Sequence, residues 1–154
     1  MAFYQNQKIK KTKKVILLES DSHHIAMYRR MFQNAAFEVD LARTREEMLE
    51  ELREIRNGEA QKPDLVLMDF VLADGYGTEV LRAIKKSHFT RDIPVFAVTN
   101  FQNPDMEREM KRSGIFPDKY MVKTHHTPAE LVNEMENYLE QRPAGSDRPK
   151  TNLA

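Results

Sequence analysis

The sequence predicts an α/β fold: a single doubly wound parallel sheet of five strands in the order 2-1-3-4-5, flanked by five helices. Three observations predict it. Strand-like and helix-like segments alternate strictly, with no internal repeat. The run Leu65-Val66-Leu67-Met68 is apolar at every position, as strands are when helices cover both faces of a parallel sheet. Short connections with right-handed crossovers then give a doubly wound sheet, and five strands favour 2-1-3-4-5.

The elements follow in order. KVILL (14–18) is the first strand, and SHHIAMYRRMFQNAA (22–36) follows as a helix with Ile25, Tyr28, Met31, Phe32 and Ala35 near helical spacing. FEVDLA (37–42) alternates apolar and polar residues, as a strand near an edge does. In TREE (44–47), Thr44 and Glu47 form a capping box opening a helix with Met48, Leu52 and Ile55 on one face, which Asn57-Gly58 stops. DLVLM (64–68) is the third strand, TEVLRAIKK (78–86) the third helix and IPVFAVT (93–99) the fourth strand. Asn103-Pro104 supplies a cap and a first-turn proline for a helix ending near Ser113-Gly114, in which Met106 and Met110 read as core. KYMV (119–122) is the fifth strand, and TPAE (127–130) opens a helix with Leu131, Met135, Tyr138 and Leu139 inward.

Composition bounds the rest. A chain of 154 residues, 40% hydrophobic and 31% charged, fits one globular domain, expected over 14–141. With no cysteine, disulfides and thiolate metal sites are excluded, and a reducing cytoplasm is the expected setting. No apolar run approaches the ~20 residues of a membrane span, and the Lys-rich start does not resemble a signal peptide. The net charge is zero but unevenly placed: residues 1–14 carry five lysines and no acid, while 15–140 carry 16 basic and 23 acidic side chains. A basic segment beside an acidic body suits nucleic acid or a membrane surface, but a solvated leader over 1–13 is the preferred reading. The Pro/Gly/Ser-rich stretch 142–154 reads as a second disordered tail.

In such a sheet ligands bind outside the carboxyl ends of the strands. Strand one ends in Glu19-Ser20-Asp21, strand three in Asp69, strand four in Thr99-Asn100 and strand five in Lys123. Clustered carboxylates repel, and Lys123 compensates one charge. A hard divalent ion held by oxygen ligands and water, Mg²⁺, compensates the rest. Asp beside Mg²⁺, a hydroxyl and a lysine is suited to accept a phosphoryl group, the cations neutralising its equatorial oxygens.

These residues resemble the receiver domain of bacterial two-component response regulators, a CheY-like, flavodoxin-like fold, from about Lys13 to Gln141. The resemblance implies that Asp69 in LVLMDFVLADGYG is the phosphoacceptor, Thr99 in VFAVTN the hydroxyl and Lys123 in YMVK the lysine. Tyr120 maps to the family's aromatic switch residue, with a half-buried structural tyrosine as the plainer reading. Glu19, Asp69 and the backbone carbonyl of Val71 map to the metal ligands. The family's second acid is Ser20 here, so Asp21 either substitutes at the metal or caps the first helix; both readings stand. Ala73, Asn100 and Thr124 also depart from the pattern, and Asn100 is expected to crowd the phosphoryl group.

The implied function is a signalling phosphoacceptor rather than an enzyme. A sensor histidine kinase or a phosphotransfer protein donates to Asp69, and the surface of the fourth helix, fifth strand and fifth helix changes its affinity for a downstream protein or a second copy of the chain. With no second domain in the sequence, output is expected through protein–protein contact. The alternative is a phosphorylation-independent interaction module that kept the fold and lost efficient Mg²⁺ binding, which Ser20 favours. A phosphatase with an aspartyl nucleophile wants an acid two residues on, where Val71 is apolar. The pairs His23-His24 and His125-His126 are read as solvated loop positions, because they leave non-adjacent strands. Lys123, acting on the phosphoryl group, is expected to matter little to stability.

Overall fold

The computed structural model describes residues 12–100 and 102–142. Seven strands and five helices form in chain order: β1 (Lys13–Leu18), α1 (Ser22–Asn34), β2 (Phe37–Ala42), α2 (Arg45–Arg56), β3 (Leu65–Asp69), β4 (Val71–Leu72), β5 (Gly75–Tyr76), α3 (Thr78–Lys86), β6 (Val95–Thr99), α4 (Pro104–Ser113), β7 (Lys119–Val122) and α5 (Pro128–Gln141). The five long strands pair in parallel as β2-β1-β3-β6-β7, which is the predicted 2-1-3-4-5 order once the short β4/β5 hairpin is set aside. The expected tails lie outside the described residues apart from Thr12, Lys13 and Arg142, and Lys13 already pairs with Phe37 as the first residue of β1.

Strand alternation builds two cores, one on each face of the sheet. Val15, Leu17, Leu65, Leu67, Phe96, Val98 and Met121 pack with Tyr28 and Phe32 of α1 and Leu131, Val132 and Met135 of α5. Ile16, Leu18, Val66, Met68, Val95 and Ala97 pack with Met48, Leu52, Val80, Leu81, Ile84, Met106 and Met110 of α2, α3 and α4. Every residue of β3 and β6 is buried, whereas the edge strand β2 is buried mainly at its two ends. The methionines of α4 are core, as expected.

The helix ends are set locally. Asp21, Thr44, Asn103 and Thr127 each accept a backbone N–H of the first turn, and Pro104 and Pro128 take positions that need no N–H donor. The first helix stops at Asn34 rather than 36, because Ala36 turns to φ 58° to enter β2. The third strand runs to Asp69 itself, one residue further than the apolar run.

The β4/β5 hairpin was not predicted, its strands being only two residues each. It is fastened to the start of α2. The Arg45 amide donates to the Asp74 carboxylate at 3.1 Å, and the Arg45 guanidinium donates to the Asp74 carbonyl and, at 3.2 Å, to Glu79. At Gly75, φ is +133°, which requires glycine; a Cβ would also stand 2.9 Å from the Arg45 guanidinium carbon, at the movable end of that side chain. The chain then returns to β3, where the Gly77 amide donates to the Phe70 carbonyl at 2.8 Å.

Candidate functional site

Three chains of alternation run off the sheet on the side facing α1 and α5: Val15-Leu17-Glu19, Leu65-Leu67-Asp69 and Met121-Lys123. Parity therefore delivers two carboxylates and an ammonium to one place. They meet there. Lys123 Nζ donates to Glu19 Oε1 and to Asp69 Oδ2, each at 2.8 Å. The remaining carboxylate oxygens take backbone amides: Asp69 Oδ1 accepts from Val71 at 2.9 Å and Glu19 Oε2 from Ser20 at 3.1 Å.

Both carboxylates are deep, Glu19 at 1% exposure and Asp69 at 5%. One ammonium between two buried carboxylates leaves the cluster a charge short. The Glu19 pKa is accordingly raised from 4.5 to about 7, by burial first and then by the Asp69 charge, against the lowering pull of Lys123. Burial alone would lower Lys123, but its hydrogen bonds to Asp69 and Glu19 and their charges outweigh that and hold it above its ordinary value.

The other sequence-selected residues lie around this core. Thr99 is fully buried at the end of β6, one residue beyond Val98, which registers with Asp69. By alternation it follows Val95 and Ala97 and so belongs to the opposite face from Lys123. Tyr120 packs against Phe70, the residue after Asp69, with ring centroids 5.9 Å apart. Its hydroxyl is buried and finds no hydrogen-bond partner among the described residues. Burial first, and then the Glu107 charge, raises its pKa. Asn100 is exposed.

Asp21 is the N-cap of α1: its Oδ1 accepts the His24 amide at 3.0 Å, and that bond, first among its causes, lowers its pKa. Its side chain is 55% exposed, and the cap accounts for its position. Among the described residues no three acidic, His or Cys side chains form a metal cluster. The donor set still suits a hard ion in part. Glu19 and Asp69 are oxygen donors, and the raised pKa of Glu19 shows that further positive charge would be favourable there. With Ser20 in place of a carboxylate, the fit is to an ion that keeps most of its water.

The histidines need correcting. His23 and His125 are exposed, but His24 lies in the first turn of α1, half-buried, with Nδ1 3.4 Å from both Lys123 Nζ and Glu19 Oε1. His126 is half-buried too, its Nδ1 3.3 Å from the Val122 carbonyl oxygen. Although β1 and β7 are not neighbours, His24 and His126 line one cavity of about 120 Å³ with Met27, Tyr28, Lys123 and Leu131. The solvated reading failed although the helix over 22–36 was predicted, because α1 leans over the sheet edge and brings His24 to Lys123. Asp21 as cap fixes His24 in the first turn, but the lean of α1 is a tertiary feature.

Comparison with known proteins agrees with the fold. The response regulator receiver domain model matches residues 15–136. The polar-differentiation response regulator DivK of Brucella ovis is 29% identical over 128 residues, covering 83% of this chain and 97% of DivK. The phosphorylated cyanobacterial phytochrome response regulator RcpA superposes with a TM-score of 0.73 at 24% identity, over 91% of this chain and 100% of that one. The receiver domain of the sensor histidine kinase PA1611 of Pseudomonas aeruginosa, solved with a magnesium ion coordinated in its active-site cleft, gives 0.67 at 20% identity over 85% and 100%. With that family model spanning most of the sequence, the chain belongs to the response regulator receiver domain family.

Proposed function

We propose that Asp69 accepts a phosphoryl group from a phosphohistidine of a sensor kinase or a phosphotransfer protein, and that the phosphorylated chain signals by protein–protein contact. The observation that carries this reading is the Lys123 bridge, 2.8 Å to each of the carboxylates of Asp69 and Glu19. An Asp69 carboxylate oxygen attacks phosphorus; the P–N bond to the donor imidazole breaks, and the leaving imidazole takes up a proton. Lys123 already sits on Asp69 and has only to follow the new oxygens. The Val71 amide holds the other carboxylate oxygen and orients the group. Thr99, buried beside the end of β3, supplies the hydroxyl that a phosphoryl oxygen draws in.

Glu19, Asp69 and the Val71 carbonyl would hold Mg²⁺, which when bound neutralises charge on the transferring group. Tyr120 and Phe70 connect the site to α4 and β7. An unpartnered buried hydroxyl costs about 1–3 kcal/mol, so Tyr120 gains from any rearrangement that gives it a partner. That is a two-state element which phosphorylation biases. The partner surface is then α4, β7 and α5, open to a downstream protein or a second copy. The chain is a signalling domain that assists its own phosphoryl transfer. No helix among the described residues is long and apolar enough to cross a membrane, and a cytoplasmic setting fits the absence of cysteine.

A phosphorylation-independent module is the second reading, favoured by Ser20 and by the engagement of Asp21 in capping. Intact mass after acetyl phosphate or phosphorylated kinase, with Mg²⁺, decides between them. The wild type is expected to gain one phosphoryl group and Asp69→Asn none. Equal labelling of both, or labelling of neither, removes the phosphoacceptor reading.

A further inference from the structure

An ammonium has three protons to give and no acceptor. Around Lys123 Nζ stand three acceptors: Asp69 Oδ2 and Glu19 Oε1 at 2.8 Å, and His24 Nδ1 at 3.4 Å. The first two come from strand ends on one side of the ammonium, and the third comes from the helix that covers the site. Two carboxylates alone leave one of the three ammonium protons without an acceptor. A third acceptor on another element fixes the head group in space.

We propose that His24 is a positioning residue, whose Nδ1 accepts the third Lys123 proton and holds the ammonium over Asp69. The geometry selects this role from two that one nitrogen atom cannot play together. Nδ1 is 3.4 Å from Lys123 Nζ, in hydrogen-bond geometry, and 3.4 Å from Glu19 Oε1, a pair that needs a protonated ring; the Lys123 ammonium can only donate. Nδ1 is therefore the acceptor, and the ring proton sits on Nε2.

The ring is itself well placed. The Asp21 carboxylate caps the His24 amide, and Ile25 and Tyr28 anchor the same turn in the core. His126, across the cavity, is occupied by the Val122 carbonyl and by Glu134, with Nε2 3.9 Å from Oε1, and does not compete. The consequence for phosphoryl uptake rests on the phosphoacceptor reading; the hydrogen bond does not. When a phosphoryl oxygen arrives, Lys123 exchanges a carboxylate contact for it while the His24 contact stays as the pivot.

The test compares His24→Asn, whose side-chain oxygen can reach the place of Nδ1, with His24→Leu, which fills the space without an acceptor. Both are labelled with phosphoramidate and Mg²⁺, beside nitrogen-15 NMR of the histidine rings in the wild type. The expected result is labelling slowed about tenfold in His24→Leu and within about threefold of wild type in His24→Asn, with thermal midpoints alike and His24 Nδ1 unprotonated. Wild-type rates in His24→Leu, an equal loss in both variants, or a protonated Nδ1 overturns the proposal. Should the wild type take no phosphoryl group from any donor, the phosphoacceptor reading falls. The ring spectrum then decides the positioning role by itself, as it does if His24→Leu fails to fold: an unprotonated Nδ1 whose signal moves in Lys123→Met supports it, and a protonated or unmoved Nδ1 overturns it.

Discussion

Glu19 shows at the scale of one residue how the site stores instability. Its folded pKa of about 7 lies above the ordinary 4.5, so the folded chain retains a proton that the unfolded chain releases. The stability tied to that proton is full below about pH 4.5 and is lost as the pH rises through about 7. At about 1.4 kcal/mol per pKa unit, the loss is of the order of 3 kcal/mol across that window. Glu19→Gln cannot titrate. In chelator-containing buffer, urea unfolding should therefore show wild-type stability falling more between pH 5 and pH 8 than that of Glu19→Gln, and equal slopes would show that Glu19 ionises freely. Sequence reading reached Glu19, Asp69 and Lys123, which the structure brings together, because each stands at the end of its own strand, and strand ends are legible from apolar runs. It missed His24 because the contact depends on how α1 leans over the sheet, which no periodicity encodes.

At the scale of the element, α1 begins with two acids' worth of ambiguity, Ser20 where a carboxylate was expected and Asp21 one place later. The structure gives Asp21 to the helix, with its Oδ1 on the His24 amide. Asp21→Ala is therefore expected to cost about 1 kcal/mol of stability, as loss of a good cap does, with Mg²⁺ affinity unchanged by titration. Ser20→Asp should act the opposite way. A carboxylate ~4 Å from one opposite charge gains about 4 kcal/mol at an effective dielectric near ~20, much of it offset by desolvation, and about 1.4 kcal/mol is already tenfold in affinity. Mg²⁺ binding should tighten by at least that factor. Weaker Mg²⁺ binding in Asp21→Ala, with no gain in Ser20→Asp, would instead make Asp21 the ligand. The capping residues Thr44, Asn103 and Thr127 were legible for the same local reason as Asp21, since a cap needs only its own first turn. The β4/β5 hairpin was not, because two-residue strands carry no pattern and this one is held by the tertiary contact of Arg45 with Asp74.

Glu19 and Asp69, the charged residues buried among the described ones, stand where the strands of a well-packed sheet end, so folding stability and the proposed phosphoryl chemistry both depend on Lys123. The sequence alone led to the expectation that Lys123→Ala would leave stability nearly unchanged. The geometry reverses it. Lys123 is the only lysine or arginine with an ion pair to Glu19 or Asp69 among the described residues, and both carboxylates are buried. Removing one partner of a buried ion pair costs about 3–5 kcal/mol, so Lys123→Ala should destabilise the fold by about that much at pH 8. At pH 5.5 the cost should be smaller, since Glu19, with its pKa of about 7, already holds a proton there and Lys123 compensates Asp69 alone. Asp69→Asn works in the other direction: it removes one of two repelling carboxylates and leaves Lys123 paired with Glu19 alone, so its own effect should be near zero or stabilising. The double variant is the decisive arm. With a single carboxylate left to bury, it should gain over Lys123→Ala about 1–3 kcal/mol more than Asp69→Asn gains over wild type, the size of coupling found between contacting residues. Urea unfolding of the four proteins at pH 8, with a common m-value, measures the cycle. Strict additivity, or a Lys123→Ala protein as stable as wild type, would mean that the three groups do not share their charge across the sheet edge.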